Sequence, residues 1–132
     1  MALPISMAMI GVTEAAMGVE FPAVFKMHMS RLNGGQLTLG DESWLLFPFF
    51  DTTNKRTIRR TAEDIKRETA TAIDSGLGFP PDGIAIAHNE AGDLLFLKHD
   101  GRRVGEQVFM FRMHGPEIDL VLETVAELWE RG

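Results

Sequence analysis

The fold is decided by residues 83–98, GIAIAHNEAGDLLFLK. Two apolar runs, Ile84 to His88 and Leu94 to Lys98, flank a turn at Glu90-Ala91-Gly92-Asp93, and this pattern predicts a β-hairpin. A third run, Val108 to Met113, predicts the next strand. Because both alternating faces of these runs are apolar, we expect a central sheet that is covered on both sides, by helices or by a partner.

The strict alternation of side chains assigns each strand residue to one of two faces. One predicted face carries Ile84, Ile86, Leu94, Phe96, Phe109 and Phe111. The other carries Ala85, Ala87, Leu95, Leu97, Val108 and Met110.

Upstream of the hairpin, the pattern predicts two helices and then short strands. Ser6 is a helix cap for a first helix to about Ala16. A second helix is expected from Pro22 to Leu32, with Asn33-Gly34-Gly35 ending it. Its buried stripe is predicted to contain Phe21, Phe25, Met29 and Leu32. Short strands are expected between Gln36 and Phe50, with a turn at Gly40-Asp41.

Two further helices complete the predicted order. Thr61 is expected to cap a helix from Ala62 to Ile73, which Ser75-Gly76 ends. Apolar residues at helical spacing predict a closing helix from Pro116 to about Glu130. The prediction is therefore an α+β fold: a mostly antiparallel central sheet with N-terminal helices, one inserted helix and a C-terminal helix, in a single domain over residues 1–132.

Composition restricts the chemistry. The 132 residues include no cysteine, which excludes disulfides, thiolate zinc sites and cysteine nucleophiles. The net charge of −6 argues against direct nucleic-acid binding, because phosphate recognition needs a cationic surface. The longest apolar run, residues 44–50, is too short to span a bilayer, and the N-terminus lacks the positive charges of a secretory signal. We therefore expect a cytoplasmic protein without membrane association.

Four landmarks follow one another along the chain. A break between two helices falls at Met17-Gly18-Val19-Glu20-Phe21-Pro22, and an Asn33-Gly34-Gly35 stop follows the second helix. A Gly92-Asp93 pair opens a hydrophobic strand in mid-domain, and residues 122–129 lie in the predicted closing helix. In this order the landmarks resemble the SUKH superfamily, which includes a yeast killer-toxin-resistance and cell-wall assembly regulator and many bacterial immunity proteins. The resemblance implies structural roles for Gly18, Phe21, Pro22, Asn33, Gly34, Gly35, Gly92 and Asp93.

The resemblance also implies a protein-binding role, because bacterial members commonly act as immunity proteins that bind a toxin domain, often a nuclease. The family has no shared catalytic constellation, so we expect a non-enzymatic protein with no cofactor and no metal. An intracellular regulatory or scaffold domain is the alternative within the family. A second copy of the chain is another possible partner, because a sheet that is apolar on both faces could pack against it in a homodimer.

The residues that could carry enzyme chemistry have simpler explanations. The four histidines are His28, His88, His99 and His114. His88 and His99 are the best basis for a small hydrolase, but their predicted positions on the hairpin are too far apart for shared zinc ligation. Glu90 and Asp93 could imitate an acid–base pair, yet aspartate in a turn more often bonds nearby backbone amides.

The predicted contact surface for a protein partner consists of Asp41, Glu42, Trp44, Glu90 and Asp93. In this interpretation, the carboxylates steer the protein towards a cationic surface and Trp44 anchors the contact. The alternative for residues 44–50 is a core strand. A cationic cluster, with the residues Lys55, Arg56, Arg59, Arg60, Lys66 and Arg67, is most simply a solvated face.

Overall fold

The structure, a computed structural model, describes residues 2–115 and 117–130. Its helices are α1 (Met7–Met17), α2 (Ala23–Arg31), α3 (Lys55–Arg60), α4 (Ile65–Asp74) and α5 (Glu127–Glu130). Its strands are β1 (Gly35–Leu39), β2 (Glu42–Leu46), β3 (Gly83–His88), β4 (Leu94–Lys98), β5 (Val108–Phe111) and β6 (Ile118–Leu122). The six strands form one antiparallel sheet in chain order, which confirms the predicted α+β class.

The two N-terminal helices form where the sequence predicts them. The Ser6 hydroxyl accepts a hydrogen bond from the Met9 N–H at 3.1 Å and caps α1. In α2, Phe25 and Met29 are fully buried, as predicted. The assignment of Leu32 to the buried stripe is wrong: the helix ends at Arg31, the backbone of Leu32 is extended, and its side chain is 48% exposed.

The central hairpin is confirmed, but a β-bulge changes which face its residues occupy. Ala85 pairs with Phe96 and Ala87 pairs with Leu95, so Ile86 is an extra residue on β3. Ile84 therefore pairs with Leu97 rather than sharing the face of Phe96. The predicted faces of Ile84 and Ala85 are wrong because a one-residue register shift reverses the side-chain alternation.

The inserted helical region contains two helices instead of the single one predicted from Ala62 to Ile73. α3 precedes α4, and Thr61 lies at the C-terminal end of α3 rather than capping the next helix. Asp64 caps α4, because its side chain accepts a hydrogen bond from the Arg67 N–H at 2.9 Å. The end of this region near Ser75 agrees with the prediction.

The predicted closing helix is the largest error. Residues Ile118–Leu122 form strand β6, which pairs antiparallel with β5, and only Glu127–Glu130 is helical. Ile118, Val121 and Leu122 fit a helical stripe, but Ile118, Leu120 and Leu122 also alternate as a strand does. Pairing with β5 satisfies the backbone of this segment. The predicted start at Pro116 lies outside the described residues.

Helices cover both faces of the central strands. On the face of Phe96, the Phe79 ring packs against Phe96 and Phe111. Thr69 of α4 accepts a hydrogen bond from the Ala85 N–H at 2.9 Å. Side chains of the opposite face belong to the same hydrophobic core as side chains of α2 and α5. This core includes the strand residues Trp44, Leu46, Ala87 and Leu95 and the helix residues Phe25, Met29 and Leu128. No helix within residues 2–115 and 117–130 is long and apolar enough to cross a membrane.

Candidate partner-binding site

Three chain reversals lie together at one end of the sheet. Because the strands run antiparallel in chain order, the β1–β2, β3–β4 and β5–β6 connections share this end. Acidic residues that are far apart in sequence therefore lie at the same end, and Glu42 and Asp93 share the contacts of Asn89 and Arg112. We call this region the acidic end and define it by Asp41, Glu42, Glu90, Asp93 and Glu117.

Asn89 connects two of these carboxylates. Its side-chain N–H groups donate to Glu42 Oε2 at 2.9 Å and to Asp93 Oδ2 at 3.1 Å. The Asn89 side-chain oxygen accepts a hydrogen bond from the Asp93 N–H at 2.9 Å, which closes the β3–β4 turn. The turn is therefore tied to the first residue of β2 across the sheet.

Arg112 is the cation within this network. Its Nη1 lies 3.3 Å from Asp93 Oδ2, and its Nη2 lies 3.9 Å from Glu42 Oε1. The Arg112 backbone N–H donates to the Glu117 carbonyl oxygen at 3.1 Å, so the β5–β6 connection joins the same assembly. The Arg112 guanidinium thus links the β1–β2 and β3–β4 connections, and its backbone N–H links the β5–β6 connection to them.

Asp93 has a structural task that explains the Gly92-Asp93 pair. Its Oδ1 accepts a hydrogen bond from the Met113 N–H at 3.0 Å. Burial alone would raise the pKa of Asp93, but the hydrogen bonds from Met113 and Asn89 and the charge of Arg112 outweigh it and lower that pKa. Gly92 has a φ of +85°, a conformation that favours glycine. The pair therefore builds the turn.

The proposed contact residues do not all reach the surface. Asp41 and Glu90 are exposed and Glu42 is half-buried, whereas Asp93 is buried. Trp44 is 0% exposed, and its indole N–H has no hydrogen-bond partner among the described residues. The expectation that Trp44 anchors a partner therefore fails here, and the core-strand alternative describes it.

The Asn33-Gly34-Gly35 stop also has a specific geometry. The side chain of Asn33 bonds the Phe49 backbone twice, through Nδ2 to the carbonyl at 2.9 Å and through Oδ1 from the N–H at 2.8 Å. Gly34 has a φ of +111°, and a Cβ there would lie 3.3 Å from the Leu46 carbonyl oxygen. These residues fasten the end of α2 to the segment after β2.

The helix break at residues 17–22 is equally well fixed. Gly18 ends α1 with a φ of +70°. The buried Phe21 stacks on Phe25, and its N–H donates to Glu14 Oε2 at 2.8 Å. Glu14 also pairs with Lys26 of α2 at 3.2 Å, while Pro22 occupies the cap position of that helix.

The histidines are placed separately. His28 stacks on Trp129 with ring centroids 4.3 Å apart, and His88 stacks on Phe47 at 4.9 Å. His99 Nδ1 accepts a hydrogen bond from the Gly101 N–H at 3.0 Å, and His114 is exposed. In residues 2–115 and 117–130, no group of three or more His, Cys, Asp or Glu side chains could hold a metal ion.

Sequence reasoning missed Arg112 and Asn89 as site residues. A lone arginine directly after an apolar strand was the available signal, because such a charge at a strand end faces the neighbouring turns. Its partners Glu42 and Asp93 lie on other strands, so only the pairing of the sheet reveals them.

Comparison with known proteins assigns the sequence to a family. No curated protein and no solved structure matches the chain. The SMI1 / KNR4 family (SUKH-1) matches residues 4–131, which is nearly the whole chain. The helix break, the asparagine–glycine stop and the glycine–aspartate turn all lie within that range and each fixes the fold. The chain therefore belongs to the SMI1 / KNR4 family (SUKH-1).

Proposed function

We propose that this protein is an immunity protein, which binds a toxin domain through the acidic end and thereby neutralises it. Domains of this family occur in immunity proteins and in regulators, and they are generally non-enzymatic. The observation that carries the proposal is the set of acidic residues at the shared end of three chain reversals, where Glu42 and Asp93 pair with one guanidinium. A nuclease suits this surface, because its active-site face must be cationic to hold nucleic acid.

The charge of the acidic end supports association with a cationic surface. Arg112 is engaged by Glu42 and Asp93, and within the described residues neither Asp41 nor Glu90 forms an ion pair. Glu90 and Glu42 border a concavity of about 390 Å³ that a projecting lysine or arginine could enter. Such uncompensated charge accelerates encounter with an oppositely charged partner, an effect that salt weakens.

The rigidity of the acidic end supports tight binding as well as rapid encounter. Asn89, Asp93 and Arg112 hold the turns through hydrogen bonds that already exist in the free protein. Little loop ordering therefore remains to oppose association.

Exposed apolar side chains flank the acidic end in place of Trp44. One row of paired residues crosses the sheet behind the acidic end, from Leu45 through His88, Leu94 and Phe111 to Ile118. Two members of this row, Leu45 and Ile118, are 49% and 44% exposed. They support the proposal as apolar contacts beside the carboxylates, since binding energy concentrates in a few desolvated side chains.

The direct test is co-expression of the chain with each toxin-like domain that sequencing of its genomic neighbourhood identifies. The wild-type chain should protect the cells and form a stable complex with the purified toxin. The double variant Asp41→Lys/Glu90→Lys should lose at least tenfold in affinity, because it reverses two exposed charges that take no part in the turn network.

The matched control is Glu63→Lys/Asp74→Lys, which reverses two exposed charges in the helical region away from the acidic end. It should bind like the wild type. Absence of both protection and complex formation would contradict the proposal and favour the regulatory or scaffold role.

A further inference from the structure

The two edge strands of the sheet differ in their neighbours. Strand β1 contacts both β2 and the C-terminal helix α5. Strand β6 pairs with β5 on one side, and no other strand in the described chain pairs with its outer edge. An open edge presents backbone N–H and C=O groups to any strand that can approach it.

The apolar side chains on β6 are unusually exposed for a strand of the main sheet. Ile118 pairs with Phe111 and Leu120 pairs with Phe109, so both lie on the face of Phe96. They are 44% and 46% exposed. Ile118 and Leu120 therefore make the Phe96 face of the open edge apolar.

The apolar surface continues inward from Leu120. The half-buried Phe109 ring stacks on Phe96 with the ring centroids 5.5 Å apart, and the Lys98 ammonium lies 4.4 Å from the Phe109 centroid. A strand that docked beside β6 would therefore extend the hydrophobic layer of the sheet, because its side chains would meet Ile118 and Leu120.

The charges along β6 disfavour a second copy of this chain as the occupant. Antiparallel self-pairing centred on Leu120 would set Glu117 opposite Glu123. Self-pairing centred on Asp119 would set that carboxylate opposite its own copy. Like charges directly opposite each other destabilise a strand pair, so the edge selects a segment of opposite charge.

We propose that β6 binds an extended segment of the partner protein as a seventh strand, and that this segment alternates apolar and cationic residues. The apolar residues contact Ile118 and Leu120, while the cations face Glu117 and Asp119. The proposal rests on the proposed function only in assigning the segment to the toxin domain. The backbone contributes affinity and the alternating side chains contribute specificity.

The test uses a defined probe and requires no toxin. The probe is the synthetic peptide Lys-Val-Lys-Val-Lys-Val-Lys, with Glu-Val-Glu-Val-Glu-Val-Glu as its matched control. Hydrogen exchange of the full chain is measured with and without each peptide. The lysine peptide should slow exchange of the amides in residues 118–122 at least fivefold, and the glutamate peptide should leave them unchanged.

Three variants make the test decisive. Asp119→Lys, an exposed change on the strand, should weaken lysine-peptide binding at least tenfold, and Ile118→Ser/Leu120→Ser should do the same. Asp41→Lys/Glu90→Lys should leave the slowed exchange in β6 in place, which separates this proposal from the proposed function. Equal effects of both peptides, no change in β6 exchange, or dimerisation through β6 would overturn the proposal. Should the double serine variant fail to fold, Asp119→Lys alone decides the outcome.

Discussion

The side-chain amide of Asn33 pairs with the backbone of Phe49 as a neighbouring strand would. It donates to the Phe49 carbonyl at 2.9 Å and accepts from the Phe49 N–H at 2.8 Å. Asn33 is buried, and Phe49 is fully buried against Phe21 and Phe25. These two hydrogen bonds therefore satisfy two backbone groups that water cannot reach. They connect the end of α2 to the segment that leads from β2 to α3.

Asn33→Ala should lower the free energy of unfolding by about 2–4 kcal/mol, because it leaves the Phe49 N–H and carbonyl buried without partners. Chemical denaturation followed by circular dichroism measures the change. Gln36→Ala removes an exposed amide nearby and should change the stability by less than about 0.5 kcal/mol. Equal stabilities of the two variants would show that the amide bridge contributes nothing.

Gly34→Ala and Gly11→Ala should have opposite effects. At Gly34, the φ of +111° and the carbonyl of Leu46 at 3.3 Å make an added methyl group costly, by about 1–3 kcal/mol. At Gly11, in α1, no atom lies within 4 Å of the added Cβ, and alanine should stabilise the helix by up to about 1 kcal/mol. Thermal unfolding of both variants tests the pair, and a destabilised Gly11→Ala would mean that α1 is not helical there.

Asp93 should make the protein sensitive to acid. Its pKa is lowered in the folded state, so its contribution to stability is complete above its ordinary pKa of 3.8 and is lost as the pH falls through the lowered value. Asp93→Asn should be less stable at pH 7 and should lose less stability between pH 4 and pH 2. Denaturation curves across this range give the slopes, and parallel slopes for wild type and variant would contradict the Arg112 and Met113 contacts.

His28 should lower the folding stability of the protein in mild acid. Burial, and then the charge of Arg31, lower its pKa below 6.5. The unfolded chain therefore takes up a proton more readily, and stability falls as the pH drops through 6.5 towards the lowered value. His28→Gln should remove this loss between pH 7.5 and pH 5.5 in thermal unfolding. The matched control is His114→Gln, which removes an exposed histidine and should leave the pH dependence of stability unchanged. If stability of His28→Gln fell with pH as steeply as that of the wild type, the assignment to His28 would be wrong.

The sheet core was predictable because its residues carry strong local signals. In residues 83–98 two apolar runs flank a turn, and the structure places β3 and β4 in these runs. The bulge at Ile86 was not predictable, since it depends on how Ala85 and Ala87 meet β4 rather than on their own pattern. Local sequence therefore located the strands but not their register.

The missed elements depend on context. Residues 118–122 suit either a helix or a strand, and the free edge of β5 decides between them. α3 contains no buried residue, so hydrophobic periodicity could not reveal it. Its usable signal was Asn54 with Thr57 three residues on, which form a capping box.

The candidate site shows the same division. Its turn residues, Gly40-Asp41 and residues 90–93, could be identified because turns have local chemistry. Whether Trp44 or Leu45 faces solvent depends on pairing across the sheet, and the structure buries Trp44. The clustering of Glu42, Asp93 and Arg112 requires the full strand order.

The most direct test of the central claim is the affinity between the purified chain and a toxin domain against which it protects cells, measured by isothermal titration at two salt concentrations. We expect a stoichiometric complex whose affinity falls with added salt and falls at least tenfold in Asp41→Lys/Glu90→Lys. A complex with salt-independent affinity that the charge reversals leave unchanged would contradict a role for the acidic end.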